Sequence, residues 1–223
     1  MNTLIKPLIQ KDWYLQRYLI LGYSIIGFLA LGIVSIPSEL WFAVGSIGLI
    51  TVLISLGIHL IMTSVIEERT LHTLPFIMSL PISVREYTTS KILANVLIYL
   101  VPWLILLIAS YVLILTRDTL PDGLIPFVTM ILLEILMGFC LILAVALMTE
   151  SQSWTIAAVV LGNLMLQGFM AFISNLPSIS STIRGSSIVW DSTSILIVAA
   201  ELMVMLVLLT VTFYVQFKKT DFI

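Results

Sequence analysis

Cysteine is nearly missing from this chain: Cys140 stands alone, so one copy has neither a disulfide framework nor a cysteine metal site. Histidine is almost as scarce. His59 and His72 are too few and too poorly placed for a zinc-protease pair. No glycine-rich loop ends in Gly-Lys-Ser or Gly-Lys-Thr, so the chain has no phosphate cradle with which to hydrolyse ATP by itself. Charge is also thin: Asp, Glu, Lys and Arg make up 10% of 223 residues, and the formal net charge is -2. That charge is dispersed, which excludes the concentrated basic footprint of a nucleic-acid-binding protein.

In place of these features there is apolar mass. Hydrophobic residues make up 60% of the chain, gathered into six runs near Arg17–Ile36, Leu40–Met62, Ile92–Leu115, Leu124–Met148, Trp154–Ile173 and Thr193–Phe217. A hydrocarbon core about 30 Å thick needs about 20 helical residues, because a helix satisfies its own backbone in lipid. The runs lack the period-two alternation of a lipid-facing barrel. The expected fold is therefore all-α, a polytopic membrane protein of six transmembrane helices forming a single unit over 1–223. A basic stretch ahead of an apolar run imitates a signal peptide, but this run is a full span long with no clear small-residue cleavage pattern, so it is read as retained.

The basic residues give an orientation. Lys6, Lys11, Arg17, Arg69, Arg85, Lys91, Lys218 and Lys219 lie on one side of the expected spans, and only Arg117 and Arg184 on the other. The positive-inside bias puts both termini in the cytoplasm. Ahead of the first run, residues 1–16 sort apolar and polar side chains onto opposite faces at helical spacing and carry Trp13 and Tyr14. An interfacial amphipathic helix is expected there.

Residues 64–91 form the most informative polar stretch. Glu67, Glu68 and Arg69 continue directly out of the second run, Leu71, Leu74 and Phe76 supply an apolar side, and Pro75 and Pro81 interrupt the segment before it re-enters the membrane. It reads either as a docking surface for a soluble partner or as an ordinary charged loop. On the other side, 174–191 is a hydroxyl-rich segment, expected as an extracytoplasmic loop or a partly re-entrant piece. Within the spans, His59, Glu134, Asn163, Gln167 and Glu201 are candidate pathway groups or interhelical hydrogen-bonding groups. They form no recognisable nucleophile, base or metal constellation.

The run Glu67-Glu68-Arg69-Thr70-Leu71, then Ser79-Leu80-Pro81-Ile82-Ser83-Val84-Arg85-Glu86-Tyr87 and Ser90-Lys91, resembles the acidic segment, Leu-Pro-Ile/Val-Ser connector and serine-lysine approach of ABC-2 type ABC transporter permeases. The glycine that family often carries after the acidic-arginine segment is replaced here by Thr70, Leu71 and His72. The resemblance implies a half-size permease in the bacterial cytoplasmic membrane, paired with a second permease subunit as a homodimer or heterodimer and with a cytoplasmic ABC ATPase dimer. It further implies that Glu67, Glu68, Arg69, Leu71, Leu74 and Phe76 serve ATPase coupling through a coupling helix near Ile66 to Phe76. Net export would follow, with ATP and Mg held by the partner subunit and no cofactor held by this chain. A membrane sensor or immunity component that binds a peptide or lipid without pumping it is the alternative, and an intramembrane enzyme is a third reading.

Overall fold

The computed structural model describes residues 5–70 and 84–218. Helix α1 spans Ile5–Val34 and α2 spans Glu39–Ile61; a π-helical turn, Met62–Ile66, joins α2 to the short α3, Glu67–Thr70. Then come α4 (Val84–Thr116), α5 (Leu124–Thr149), α6 (Gln152–Asn175), the single turn α7 (Pro177–Ser180) and α8 (Ser192–Lys218). Six of these helices are long and apolar enough to cross a membrane. They alternate in direction, so the start of α1 and the end of α8 lie at one end of the bundle, here the proximal end. The α1–α2, α4–α5 and α6–α8 connections lie at the other, the distal end.

All six spans fall where the hydrophobic runs place them, and the differences are at the ends. The charged N-terminal stretch is continuous with the first span: α1 runs 30 residues without a break, about 45 Å at 1.5 Å per residue. That exceeds the hydrocarbon thickness of about 30 Å, which a tilted span or an end outside the apolar core accommodates. Pro7 sits in the first turn, where a missing N–H costs nothing. Helix α4 likewise begins about two turns ahead of its apolar run, which starts at Ile92.

Helix α5 is the hub. Met130, Leu143 and Ala146 are fully enclosed, and α5 packs against α2, α4, α6 and α8. Three neighbours donate into the bundle: Trp103 Nε1 to Leu132 O (2.8 Å), Tyr99 OH to Leu53 O (3.2 Å), and Gln216 Nε2 to Leu147 O. Tyr99 also stacks on Phe139, with centroids 4.0 Å apart and planes within 8°. By contrast, α6 and α8 leave long apolar side chains such as Leu164, Leu196, Met203 and Leu206 exposed, as a lipid-facing surface requires. Many span hydroxyls are satisfied within their own helix, for example Ser24 to Ile20 O, Thr51 to Ile47 O and Ser110 to Leu106 O. They therefore carry no unmet polarity into the apolar phase.

Two glycines mark close approaches. A Cβ at Gly45 would lie 2.6 Å from the Val34 backbone N and 2.7 Å from Ala30 O, so α1 and α2 cross backbone to backbone there. A Cβ at Gly123 would fall 1.9 Å from Thr182 O, and Gly123 N donates to Gly185 O (3.0 Å). The α4–α5 turn is thereby pinned under the segment that leads to α8. In that segment Ile179 is buried, and Asp191 caps α8 by accepting from Ser194 N at 3.0 Å. Hydrogen bonding from Ser194 holds the Asp191 carboxyl below its ordinary value.

Candidate functional site

The charged residues of the proximal end do not all face outward. Successive helical residues point about 100° apart, so Glu67 and Glu68 cannot share a direction: Glu67 is exposed and Glu68 turns inward. The π turn at Met62–Ile66 inserts an extra residue just upstream and so sets the rotation at which α3 emerges. Its wider turn is held on both sides. Ser64 Oγ donates to Asn95 Oδ1 on α4 (2.6 Å), and Gln16 Nε2 on α1 donates to Thr63 Oγ1 (2.8 Å).

Glu68 enters a four-membered ionic cluster. Lys91 Nζ of α4 lies 2.8 Å from Glu68 Oε1 and 2.9 Å from Asp12 Oδ2 of α1. Lys11 Nζ lies 3.0 Å from Glu68 Oε1 and 3.3 Å from Asp12 Oδ1. Tyr87 OH donates to Glu68 Oε2 at 3.2 Å. The Lys91 side chain is 3% exposed and that of Asp12 6%, against 40% for Lys11, so the buried core of the cluster is a lysine between two carboxylates. Burial by itself pushes the Glu68 carboxyl up, but the Lys91 and Lys11 ammonium groups together outweigh it and hold the group below its ordinary value of 4.5. Two positive and two negative charges cancel, the condition under which a buried ionic group is tolerable. Three elements remote in sequence are tied at one point.

A girdle surrounds this end. Arg17 lies over the Tyr14 and Tyr18 rings (3.9 and 4.7 Å to the centroids), and Lys218 lies over Tyr214 at 4.4 Å. Basic and aromatic side chains of this kind anchor helices at a lipid–water boundary.

Of the coupling residues read from sequence, Glu67 and Glu68 are placed as above and Arg69 lies on α3. Leu71, Leu74 and Phe76 lie outside the described residues. Asp12, Lys11 and Lys91 were not singled out by sequence reasoning as site residues. The available signal was a lysine and an aspartate 79 residues apart, which only the fold brings together.

The polar groups of the spans do not converge on one centre. His59 Nδ1 is 3.4 Å from Tyr23 OH, with the rings edge to face at 6.1 Å, a contact between α1 and α2. Glu134 on α5 and Glu201 on α8 are both buried, and neither Glu201 oxygen has a hydrogen-bond partner among the described residues. Glu134 borders two small cavities, one of about 30 Å³ that Asn163 and Tyr99 also line, and one of about 90 Å³ beside Gly138 and Gly162. Asn163 spends its amide on Val159 O in its own helix (2.9 Å), and Gln167 is exposed. Among the described residues no group of three or more His, Cys, Asp or Glu side chains is arranged to hold a metal ion.

Six lipid-compatible helices with α5 at the hub, and charge concentrated at the helix ends, define a polytopic α-helical membrane protein. The family can also be stated. The model described as ABC-2 family transporter protein matches residues 38–203, well over half of the chain, and the chain belongs to that family. No curated protein and no solved structure matches it. Family membership implies a cognate ATPase in general terms.

Proposed function

We propose that the chain is the membrane-spanning subunit of an ATP-driven ABC exporter, multi-pass in a bacterial cytoplasmic membrane with both termini inside. It would work with a second permease subunit and a cytoplasmic ABC ATPase dimer that binds ATP and Mg. The observation that carries the reading is the buried Lys91–Asp12–Glu68 cluster. It sits where the chain leaves α2 for residues 64–91, the stretch read as the coupling region, and it fastens that exit to α1 and α4.

The division of labour follows from exposure. Glu67 points outward and is free to meet a partner's charge, and Arg69 is read as the second docking charge. Glu68 points inward and passes displacement of α3 to two spans at once. A partner moving α3 cannot shift Glu68 alone, since a carboxylate drawn away from Lys91 would leave a buried charge uncompensated, which is strongly unfavourable. Displacement is therefore shared among α1, α2 and α4. Spans α1, α2 and α6 of two copies are proposed to wall the transport path, so that the path belongs to the dimer.

Co-expression with the cognate ATPase and recovery of a complex tests this. Charge reversal at Glu67 is expected to weaken complex formation or coupled ATPase activity at least about fivefold, the scale of a single charged contact at an interface. Reversal at Asp118 or Asp122, in the turn before α5, is expected to change neither. Equal loss in all three variants rejects the assignment, and a stable, fully active chain without an ATPase rejects the exporter reading.

A further inference from the structure

At the distal end, away from the ionic cluster, two cavities abut. The first, about 400 Å³, lies between α1, α2, α4 and α5, with Leu49, Phe127 and Ile131 among its walls. It is apolar almost throughout; its wall carries two hydroxyls, Ser46 and Ser110, and that of Ser110 is bonded to Leu106 O at 2.7 Å. The second, about 840 Å³, is a vestibule of mixed lining whose polar members are Ser38, Glu39, Thr119 and Arg184. Val34, Phe42, Leu120 and Leu124 are common walls of both. Consecutive residues of the α7–α8 connection divide between them: Ile183 borders the apolar chamber and Arg184 the vestibule.

A cavity of this size and lining suits an alkyl chain and repels water, since ordered water needs two to four polar partners. The vestibule adds charge of both signs. Glu39 and Arg184 border the same space yet make no ion pair with each other among the described residues. An anionic head would satisfy only the arginine and a cationic head only the glutamate, whereas a zwitterionic head with an N–H donor satisfies both.

We infer that this slot is a binding site for a phosphatidylethanolamine-type lipid, with one acyl chain in the apolar chamber, the phosphate on Arg184 and the ammonium on Glu39. The site lies within a single copy of the chain and in the membrane leaflet opposite the termini. Its occupant wedges between α1, α2, α4 and α5 and so bears on the spacing of the same spans that the ionic cluster fastens at the other end.

The test uses the full chain in nanodiscs with a phosphatidylethanolamine carrying a photoreactive group on one acyl chain. Cross-links are expected in peptides covering 42–50 and 124–132, and unlabelled phosphatidylethanolamine should compete at least about threefold better than phosphatidylglycerol or diacylglycerol. Arg184→Gln and Glu39→Gln, both at the wet rim, should each weaken competition by about threefold, the scale of one exposed charge-assisted contact. Ala43→Phe, which narrows the chamber, should reduce the cross-links. Three results overturn the inference: labelling spread evenly over the exposed faces of α6 and α8, equal competition by all three lipids, or indifference to both rim substitutions. Sensitivity to Arg184→Gln alone, with phosphatidylglycerol competing as well as phosphatidylethanolamine, overturns the zwitterionic assignment.

Discussion

Replacing Lys91 with methionine keeps most of the side-chain volume and removes one charge from a neutral group of four. Asp12 and Glu68 would then keep Lys11 as a shared cation, whose side chain is 40% exposed while the carboxylates are 6% and 14% exposed. Removing one partner of a buried ion pair destabilises by roughly 3–5 kcal/mol, because the other charge is left without compensation. Lys11 already touches both carboxylates and supplies part of that compensation, so the lower end of the range, about 3 kcal/mol, is expected for Lys91→Met. The measurement is thermal retention of monodisperse protein in one detergent at fixed pH. The double variant Lys91→Met/Glu68→Gln restores neutrality around Lys11 and Asp12, and it should recover at least half of the loss. A single variant as stable as the native chain, or a double variant that loses the sum of two separate losses, refutes the ionic account and leaves a packing role for the lysine stem.

The same cluster fixes a pH response. The Glu68 carboxyl lies below 4.5 in the folded chain, so its contribution is fully present above the unfolded value and is lost as pH falls through the lower, folded one. Native protein should therefore lose stability on acidification below about pH 4.5, and Glu68→Gln should flatten that part of the profile.

Gly45→Ala should separate α1 from α2, because the new methyl meets the Val34 backbone N and Ala30 O as well as the Val34 side chain; a loss of about 1–3 kcal/mol is expected from overpacking, read as a lower melting midpoint. Glu201→Leu removes two buried oxygens that have no hydrogen-bond partner among the described residues and should leave stability unchanged or raise it by about 1–3 kcal/mol. A fall in stability with Glu201→Leu would show that the carboxylate is bonded in the native assembly.

The number of spans, their order and most of their limits were legible because length and hydropathy alone decide whether a helix can live in lipid. The first turns of α1 and α4 were less so, since a charged amphipathic turn reads the same whether it continues a span or precedes one. The site divides in the same way. Residues 67 and 68 were visible as a charged exit from α2, but adjacent glutamates look equivalent in a sequence. Helical rotation separates them, and the π turn that sets which one faces inward leaves no signature in composition or period. Asp12 and Lys91 were hidden for a different reason: each is an ordinary interfacial charge until a partner 79 positions away cancels it.

The two ends of the bundle are held by different physics. At the proximal end, a lysine, two carboxylates and a second lysine at 2.8–3.3 Å make a directional joint, since small changes in separation leave a charge uncompensated. At the distal end, α1, α2, α4 and α5 surround a cavity of about 400 Å³, and apolar contact there is non-directional and tolerates sliding. A force applied at α3 therefore meets stiffness where it enters, and at the far ends compliance is confined to the cavity side, because α1 and α2 stay in backbone contact at Gly45 and the α4–α5 turn is held at Gly123. For helices joined stiffly at one end, a small displacement at the joint becomes a larger one where the packing yields, and that asymmetry is what the proposed coupling role requires of this fold.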